Sequence, residues 1–335
     1  MLTIEELEAA CNSAEPVQLP RHVVAAPDLS HRATFYPHGF PAEVRTNSAC
    51  VLKLLEEMWG EFEAMYDTEP IQCEVQVVED GSMECPPEPN CRHMLPLVIS
   101  VADPNNYSIV DLDHCRVRAT ISRAALRHPL YAKYFLLGSA LCCVATRYST
   151  PVHAACVALD GRGVLLCGDS GAGKSTLSYA CARAGWTYVT DDASFLLNGG
   201  TKRIVTGNCH QLRFRTTAAE LFPELAGLEI TPRAAGKPSI ELPTAPMAHI
   251  TCAQTARVDF IVILKRRMGS PLQLLPYPKD VARQFMRQAL YGPADSLAVQ
   301  YAAIERLLTA EVFELRYSDL DWAVDRLGTL VREGR

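Results

Sequence analysis

A glycine-rich stretch at positions 163–176 constrains the fold of this chain more than any other part of the sequence. Its centre, residues 168–175, reads Gly-Asp-Ser-Gly-Ala-Gly-Lys-Ser and fits the pattern G-x-x-x-x-G-K-[ST]. That pattern needs a buried strand before it and a helix after it. The apolar run 164–167 precedes it, and a helix-forming run to about residue 184 follows. The sequence therefore predicts a strand, a phosphate-binding P-loop and a helix N-terminus in succession.

The residues of this loop each have a predicted task in nucleotide binding. The glycines allow backbone conformations and close approaches that a Cβ would block. Lys174 is expected to reach the β and γ phosphates, and the Ser175 hydroxyl is expected to hold Mg²⁺. The predicted nucleotide-binding residues of the loop are Gly168, Asp169, Ser170, Gly171, Ala172, Gly173, Lys174, Ser175 and Thr176.

Two adjacent acids, Asp191 and Asp192, follow the loop after one predicted helix and one predicted strand. Asp191 lies 17 residues after Lys174. A right-handed crossover of this kind makes the two strands parallel, so their carboxyl ends lie at the same sheet edge, where ligands bind. One acid can complete the coordination of Mg²⁺. The other can accept or orient the proton of an attacking hydroxyl. The alternative is a solvated acidic turn.

Four further polar residues are candidates for the same site. His153, on the strand before the P-loop strand, is either a polar group near the γ phosphate or a hydrogen-bonded histidine at a strand end. Arg213 and Arg215 alternate on a predicted strand, so both can face one side and neutralise a transferred phosphoryl group, or they form a solvated face. Lys237, in a glycine-containing loop, is predicted to close over the nucleotide. Residues 265–267 are interpreted as a solvated strand end.

The composition excludes several classes of protein. The chain has 335 residues, enough for two domains or for one large core with an appendage, and its net charge of −6 argues against a nucleic-acid-binding surface. Thirteen scattered cysteines, several in apolar runs, favour a reducing cytoplasm over a disulfide framework. The run 1–8 is acidic, which is not typical of a signal peptide. The apolar run 134–145 is too short to cross a membrane, so a core helix is predicted there.

The order of predicted elements divides the chain into an N-terminal α+β domain, 1–125, and an α/β P-loop domain with a mixed sheet, 126–335. Two short strands are predicted within 33–48, and a loop over 79–92. Longer strands are predicted over 71–78, 95–102, 107–111, 116–122, 151–160, 164–167, 186–190, 193–198, 202–205, 210–215, 258–265 and 312–317. Helices are predicted over 4–11, 50–66, 129–147, 174–184, 218–225, 279–290, 296–310 and 321–332. In the first domain, Cys85, Cys91 and His93 lack a zinc-knuckle spacing and a fourth ligand, so no metal site is predicted.

Residues 150–200 resemble the catalytic core of HPr kinase/phosphorylase. The matching parts are His153, the apolar strand pair, residues 168–175, and the run Gly-Trp-Thr-Tyr-Val-Thr-Asp-Asp at 185–192. That family has a phosphoenolpyruvate carboxykinase-like P-loop fold, with Asp and Ser at the positions of Asp169 and Ser170. The resemblance implies transfer of the γ-phosphoryl group of ATP, with Mg²⁺, to a serine hydroxyl. It also implies four catalytic residues and two metal ligands: Lys174, His153, Asp191 and Asp192 are catalytic, Asp191 being favoured as the base, and Ser175 and Asp192 hold the metal.

The chain also departs from the pattern of that family. Thr176 stands where the family usually has Glu, and residues 210–217 stand in place of its Glu-Val-Arg-Gly-Leu-Gly motif. The basic signature of the reverse, phosphorylase reaction is not recognisable, and the N-terminal domain is different. The sequence is more similar to the wider group of HPr-kinase-related proteins, bacterial kinases with peptide or unassigned substrates. These often end like residues 313–321, followed by a helix.

Together these observations predict an ATP- and Mg²⁺-dependent kinase that phosphorylates a hydroxyl, foremost a serine of a protein or peptide. Two alternatives stay open: a kinase of a free amino acid or a similar small hydroxyl compound, and a nucleotide-sensing module without an acceptor. The acid pair argues against a pure sensor, which needs no base. The predicted partners are ATP and the hydroxyl acceptor, without nucleic acid or membrane, and the related kinases make a homo-oligomer a further expectation.

Overall fold

The computed structural model describes residues 28–231, 238–266, 269 and 271–334, and it contains two large β-sheets that follow one another along the chain. The helix predicted over 4–11 lies outside the described residues. Both sheets mix parallel and antiparallel strands, so the mixed α/β class that the sequence predicted is confirmed.

The first sheet has seven strands in the order β1-β2-β3-β7-β6-β5-β4. These are β1 (His31–Phe35), β2 (Ala42–Thr46), β3 (Ile71–Val78), β4 (Asn90–Met94), β5 (Leu97–Asp103), β6 (Asn106–Asp111) and β7 (Arg116–Ser122). Strands β2, β3 and β7 are parallel, and the other pairs are antiparallel. Along β3, buried and half-buried side chains alternate because successive residues point to opposite faces of a sheet. One face of this sheet is therefore the face that forms a core.

Three helices accompany the first sheet: α1 (Ala49–Trp59), α2 (Arg123–Leu126) and α3 (Pro129–Cys143). Helix α3 contacts β3, β6 and β7, and its residues Ala132, Ala140 and Cys143 are buried in the same core. The run Pro129–Tyr148 is long and apolar enough to be a membrane span by length and composition, but 57% of its apolar 18-residue window is buried inside the protein, as in a core helix. Helix α3 packs on the first sheet although it follows residue 125. The domain boundary at 125/126 stays a prediction.

The second sheet has ten strands and carries the P-loop. The strands of the C-terminal part are β8 (Ser149–Val152), β9 (Ala154–Leu159), β10 (Arg162–Cys167), β11 (Thr187–Thr190), β12 (Ser194–Leu197), β13 (Ile204–Gly207), β14 (Gln211–Phe214), β15 (Ile240–Pro243), β16 (Thr251–Cys252), β17 (Thr255–Arg266), β18 (Gln273–Pro276) and β19 (Glu311–Tyr317). The pair β14–β15 forms a small separate sheet. The helices of this part are α4 (Lys174–Arg183), α5 (Lys279–Arg287), α6 (Ala294–Leu307) and α7 (Leu320–Glu333).

Strand β10 lies at the centre of the second sheet. It is antiparallel to β9 and parallel to β17, which is in turn parallel to β19. All four residues Val164–Cys167 are fully buried, because helices cover both faces of the sheet: α4 and α7 on one, α5 and α6 on the other. An unbroken apolar run is what such a doubly covered strand requires. The end of β10, and with it the loop at 168–173, is therefore held in a rigid frame.

Four predicted elements differ from the observed ones. The strand predicted over 151–160 is two strands that separate at His153, because β8 pairs with β12 whereas β9 pairs with β10 and β11. The helix predicted over 218–225 is two short 3₁₀ turns, Thr216–Glu220 and Pro223–Leu225, interrupted where Pro223 removes a backbone donor. The loop predicted over 79–92 ends in β4, and the helix predicted to reach residue 66 ends at Trp59.

Candidate active site

The P-loop runs from the end of β10 to the start of α4, and two of its glycines are required by their surroundings. Gly173, the N-cap of α4, has a left-handed backbone (φ 98°), and a Cβ there would lie 2.5 Å from the Tyr317 hydroxyl. That hydroxyl donates a hydrogen bond of 3.2 Å to the carbonyl oxygen of Ala172. A Cβ at Gly168 would lie 2.8 Å from the Ala172 Cβ. The loop is thus packed closely against the end of β19, and larger residues would displace it.

Lys174 is the first residue of α4 and is almost fully buried, with 6% of its surface exposed. Its ammonium donates to the carbonyl oxygen of Gly168 at 2.8 Å and lies 2.9 Å from Nε2 of His153. Burial lowers the pKa of Lys174, against the charges of Asp192 and Asp169, which raise it. Burial, and then the Lys174 charge, lower the pKa of His153. A neutral His153 accepts a hydrogen bond from the Lys174 ammonium at Nε2 and so carries its own proton at Nδ1.

The acidic pair lies at the end of β11, beside the P-loop. Strands β10 and β11 run in the same direction because both are antiparallel to β9, which separates them. The Ser175 hydroxyl donates at 3.5 Å to the backbone carbonyl of Asp191. The half-exposed Asp192 places Oδ1 3.5 Å from Nδ1 of His153, the nitrogen that carries the proton when His153 is neutral. His153 thus bridges the Lys174 ammonium and the Asp192 carboxylate.

Asp191 and Asp192 have different surroundings although they are adjacent. Asp191 is 8% exposed, and its Oδ2 accepts a hydrogen bond of 3.1 Å from the backbone N–H of Arg213. Burial, and then the negative charge of Asp192, raise the pKa of Asp191 to about 6, although the Arg213 charge opposes this shift. Neighbouring carboxylates in unequal environments commonly take unequal roles in acid–base chemistry.

The two candidate arginines, one in β14 and one directly after it, have different partners. Arg213 is half-buried, and its Nε donates to Oε1 of Glu241 on β15 at 3.2 Å. Arg215 is exposed, and its Nη2 donates to the Ser170 hydroxyl of the P-loop at 2.7 Å. Arg215 is therefore the one that is directly linked to the P-loop.

A cavity of 540 Å³ lies between the P-loop, the acidic pair and the start of the 3₁₀ turn after β14. The predicted site residues that line it are His153, Ser170, Gly171, Gly173, Lys174, Ser175, Thr176, Asp191, Asp192, Arg213 and Arg215. Gly168, Asp169 and Ala172 do not line it; their carbonyl oxygens accept hydrogen bonds from Lys174, from the Ala172 N–H and from the Tyr317 hydroxyl, respectively. Lys237 lies outside the described residues, but Pro238 and Ser239, next to it in sequence, form part of the wall.

Arg266 is a wall residue of this cavity that the sequence does not predict. The sequence predicts a solvated strand end here, but β17 is parallel to β10 and ends at the same edge, which brings Arg266 to the cavity. The apolar run before Arg266 indicates a buried strand, but it does not indicate that this strand lies beside β10. Thr217 and Glu220 of the 3₁₀ turn also line the cavity. Glu241, which was also not predicted, accepts the hydrogen bond from Arg213.

Comparison with known proteins finds similarity among solved structures. No protein-family model and no curated protein matches this sequence. Among solved structures, the chain is similar to the HPr(Ser) kinase/phosphatase from Coxiella burnetii, with a TM-score of 0.31 and 16% sequence identity over 55% of this chain and 93% of that chain. The structural similarity to this kinase/phosphatase is weak and does not establish the family, so the resemblance of residues 150–200 stays a prediction.

Proposed function

We propose that this protein is a kinase that transfers the γ-phosphoryl group of ATP, with Mg²⁺, to a serine hydroxyl of a protein or peptide. The observation that supports this most is the meeting of three groups around one cavity of 540 Å³: the P-loop with Lys174, the acidic pair, and His153 between them. A P-loop accounts for nucleotide binding. A buried carboxylate beside it supplies the base that phosphoryl transfer to a hydroxyl also needs.

In the proposed reaction the acceptor oxygen forms a bond to the γ-phosphorus while the bond from that phosphorus to the bridging oxygen of ADP breaks. The hydroxyl proton passes to the Asp191 carboxylate. Lys174 and Arg215, both on the cavity wall, stabilise negative charge on the phosphoryl oxygens. His153 accepts the Lys174 hydrogen bond and so fixes the direction of the ammonium.

Two residues beside the end of β11 fit a magnesium ion. The Ser175 hydroxyl and the half-exposed Asp192 carboxylate are oxygen donors on the same cavity wall, and Mg²⁺ prefers oxygen. In the described ranges no group of three or more His, Cys, Asp or Glu is placed to hold a metal by itself. This agrees with Mg²⁺, which usually binds one or two carboxylates and completes its shell with substrate phosphates and water. Held by Ser175 and Asp192, the ion would neutralise phosphate charge.

The pH dependence of the rate is expected to follow the ionisation of Asp191. A base acts when it is deprotonated, so kcat/KM should rise with pH and level off above the pKa of about 6 that burial and Asp192 give this group. The measurement is kcat/KM from pH 5 to 8 at saturating Mg²⁺. The variant Asp192→Asn removes the negative neighbour and should move the midpoint to lower pH. A wild-type profile that is flat over this range would contradict Asp191 as the base.

The proposed function is tested by incubating the protein with γ-labelled ATP, Mg²⁺ and a lysate of the source organism, then separating proteins from small molecules. The expected result is label in a protein fraction, stable in acid and released by alkali, as phosphoserine is. The matched control is the Asp191→Asn variant, which should bind nucleotide without labelling. Label only in the small-molecule fraction would show a small-molecule kinase instead. Bound ATP with no labelled acceptor in either fraction would show a sensor.

A further inference from the structure

Arg266 is the last residue of β17, and it lies on the wall of the P-loop cavity. The strand passes the start of the P-loop two residues earlier, because a Cβ on Gly168 would lie 3.4 Å from the carbonyl oxygen of Leu264. It reaches the end of the loop at Arg266, because a Cβ on Gly173 would lie 3.7 Å from the Arg266 Cδ. The end of β17 therefore runs beside the P-loop from its first glycine to the N-cap of α4.

The backbone of Arg266 is fixed relative to the loop. In the pairing of β17 with β19, Arg266 lies opposite Tyr317. The Tyr317 hydroxyl donates a hydrogen bond of 3.2 Å to the carbonyl oxygen of Ala172 in the loop. The Arg266 side chain thus starts from a defined point beside the N-terminus of α4, where backbone N–H groups and the helix dipole favour an anion.

Arg266 differs from the other two arginines of the cavity wall in its partners. Arg213 donates to the Glu241 carboxylate, and Arg215 donates to the Ser170 hydroxyl. The side chain of Arg266 is exposed and makes no hydrogen bond or ion pair with a described residue. An arginine stays charged and presents a planar set of donors that matches a phosphate group. We therefore expect its partner to be an anion that enters the cavity.

The position of β17 in the sheet decides which part of a nucleotide Arg266 can contact. The strand order β11-β9-β10-β17 places Arg266 on one side of β10 and the acidic pair, at the end of β11, on the other. Arg215 belongs to the side of the acidic pair, because the backbone N–H of Arg213, two residues earlier, donates to Asp191. The proposed transfer of the γ-phosphoryl group takes place beside the acidic pair. Arg266 lies away from that group, beside the loop whose N–H groups hold the α- and β-phosphates.

We propose that Arg266 binds the α- and β-phosphates of the nucleotide and so stabilises bound ATP and bound ADP alike. No bond forms or breaks at this residue; its guanidinium donates hydrogen bonds to oxygens that stay on the nucleotide. Arg215 contacts the transferred γ-phosphoryl group instead. The inference rests on the proposed function in one respect, that the cavity binds a nucleotide, and it does not depend on the acceptor or on phosphoryl transfer.

The test is titration calorimetry of the wild-type protein and Arg266→Gln with MgATP, MgADP and magnesium tripolyphosphate. The variant should bind all three about tenfold or more weakly, because each loses a hydrogen bond to a charged group. Arg215→Gln should weaken MgATP binding and leave MgADP binding unchanged. The matched control is Arg316→Gln, which removes an exposed arginine of β19 that pairs with Glu314 away from the cavity wall. It should change none of the three affinities.

Two results for Arg266→Gln would overturn the inference. The first is an unchanged affinity for MgADP, whether or not MgATP binding falls. The second is weaker binding of both nucleotides with unchanged binding of tripolyphosphate, because the contact would then be to the adenosine. The exposed position of Arg266, without a partner among the described residues, makes a wild-type melting temperature the expected result for the variant.

Failure of the proposed function gives a different pattern. Wild-type protein that binds MgATP and MgADP but labels no acceptor would refute the kinase, and the three affinities of Arg266→Gln would still decide the inference. Wild-type protein that binds neither nucleotide would overturn both the proposed function and the role of Arg266.

Discussion

Replacing Lys174 with alanine is expected to slow phosphoryl transfer by about 10²–10³-fold and to weaken the binding of MgATP. The ammonium is held in place by the Gly168 carbonyl and by His153, so it is already directed at the cavity before nucleotide binds. Loss of one such preorganised donor to a transition state costs about 10²–10³ in rate. A hydrogen bond to a charged group contributes about 1.5–3 kcal/mol, so affinity should fall by about tenfold or more. Titration calorimetry with MgATP and a transfer assay measure the two effects.

Two further variants separate the charge of Lys174 from the packing of its side chain. Lys174→Met keeps an unbranched side chain of similar length in this nearly buried position and removes the charge. It should lose as much activity as the alanine variant and keep the melting temperature closer to that of wild type. Lys202→Ala, at an exposed position between β12 and β13, should change neither affinity nor rate. Unchanged MgATP binding and transfer in both Lys174 variants would remove the P-loop assignment.

The strand, loop and helix around the P-loop could be predicted from sequence because local residues determine them. An apolar run must be buried, the glycines allow the tight loop, and α4 begins where the pattern requires a helix N-terminus. The acid pair could be predicted to lie near the loop because a short connection leaves few ways to return to the sheet. These predictions needed no knowledge of distant strand pairing.

Distant pairing is what the sequence did not reveal. His153 is accessible because β8 and β9 separate there to pair with different strands, and β12 lies about 40 residues further along the chain. Arg266 reaches the cavity because β17 is the parallel neighbour of β10, a pairing that the apolar pattern of β17 does not specify. Arg213 and Arg215 have different partners because Glu241, which accepts a hydrogen bond from Arg213, lies on β15. In each case the partner is far away in sequence, and alternation along a strand gives no information about it.

Asp191→Asn is expected to keep the fold and the affinity for nucleotide. An asparagine oxygen can still accept the hydrogen bond from the backbone N–H of Arg213. The folded-state pKa of Asp191 is raised, so its protonated form stabilises the fold below the ordinary pKa, and this stabilisation is lost as pH rises through about 6. Above that pH the wild-type protein must bury a charge, which asparagine avoids. The melting temperature of the variant at pH 8 should therefore equal or exceed that of wild type, and a lower value would show that the carboxylate is needed for folding.

With the fold intact, Asp191→Asn should slow phosphoryl transfer by about 10²–10⁴-fold, the usual contribution of a general base, while MgATP affinity stays the same. Asp192→Asn is the informative comparison because Asp192 is adjacent in sequence but half-exposed and directed at His153. If Asp192 holds the metal, excess Mg²⁺ should restore much of the rate in Asp192→Asn and none in Asp191→Asn. Asp325→Asn, on an exposed position of α7, serves as the matched control. A wild-type rate in Asp191→Asn with loss in Asp192→Asn would assign the base to Asp192 instead.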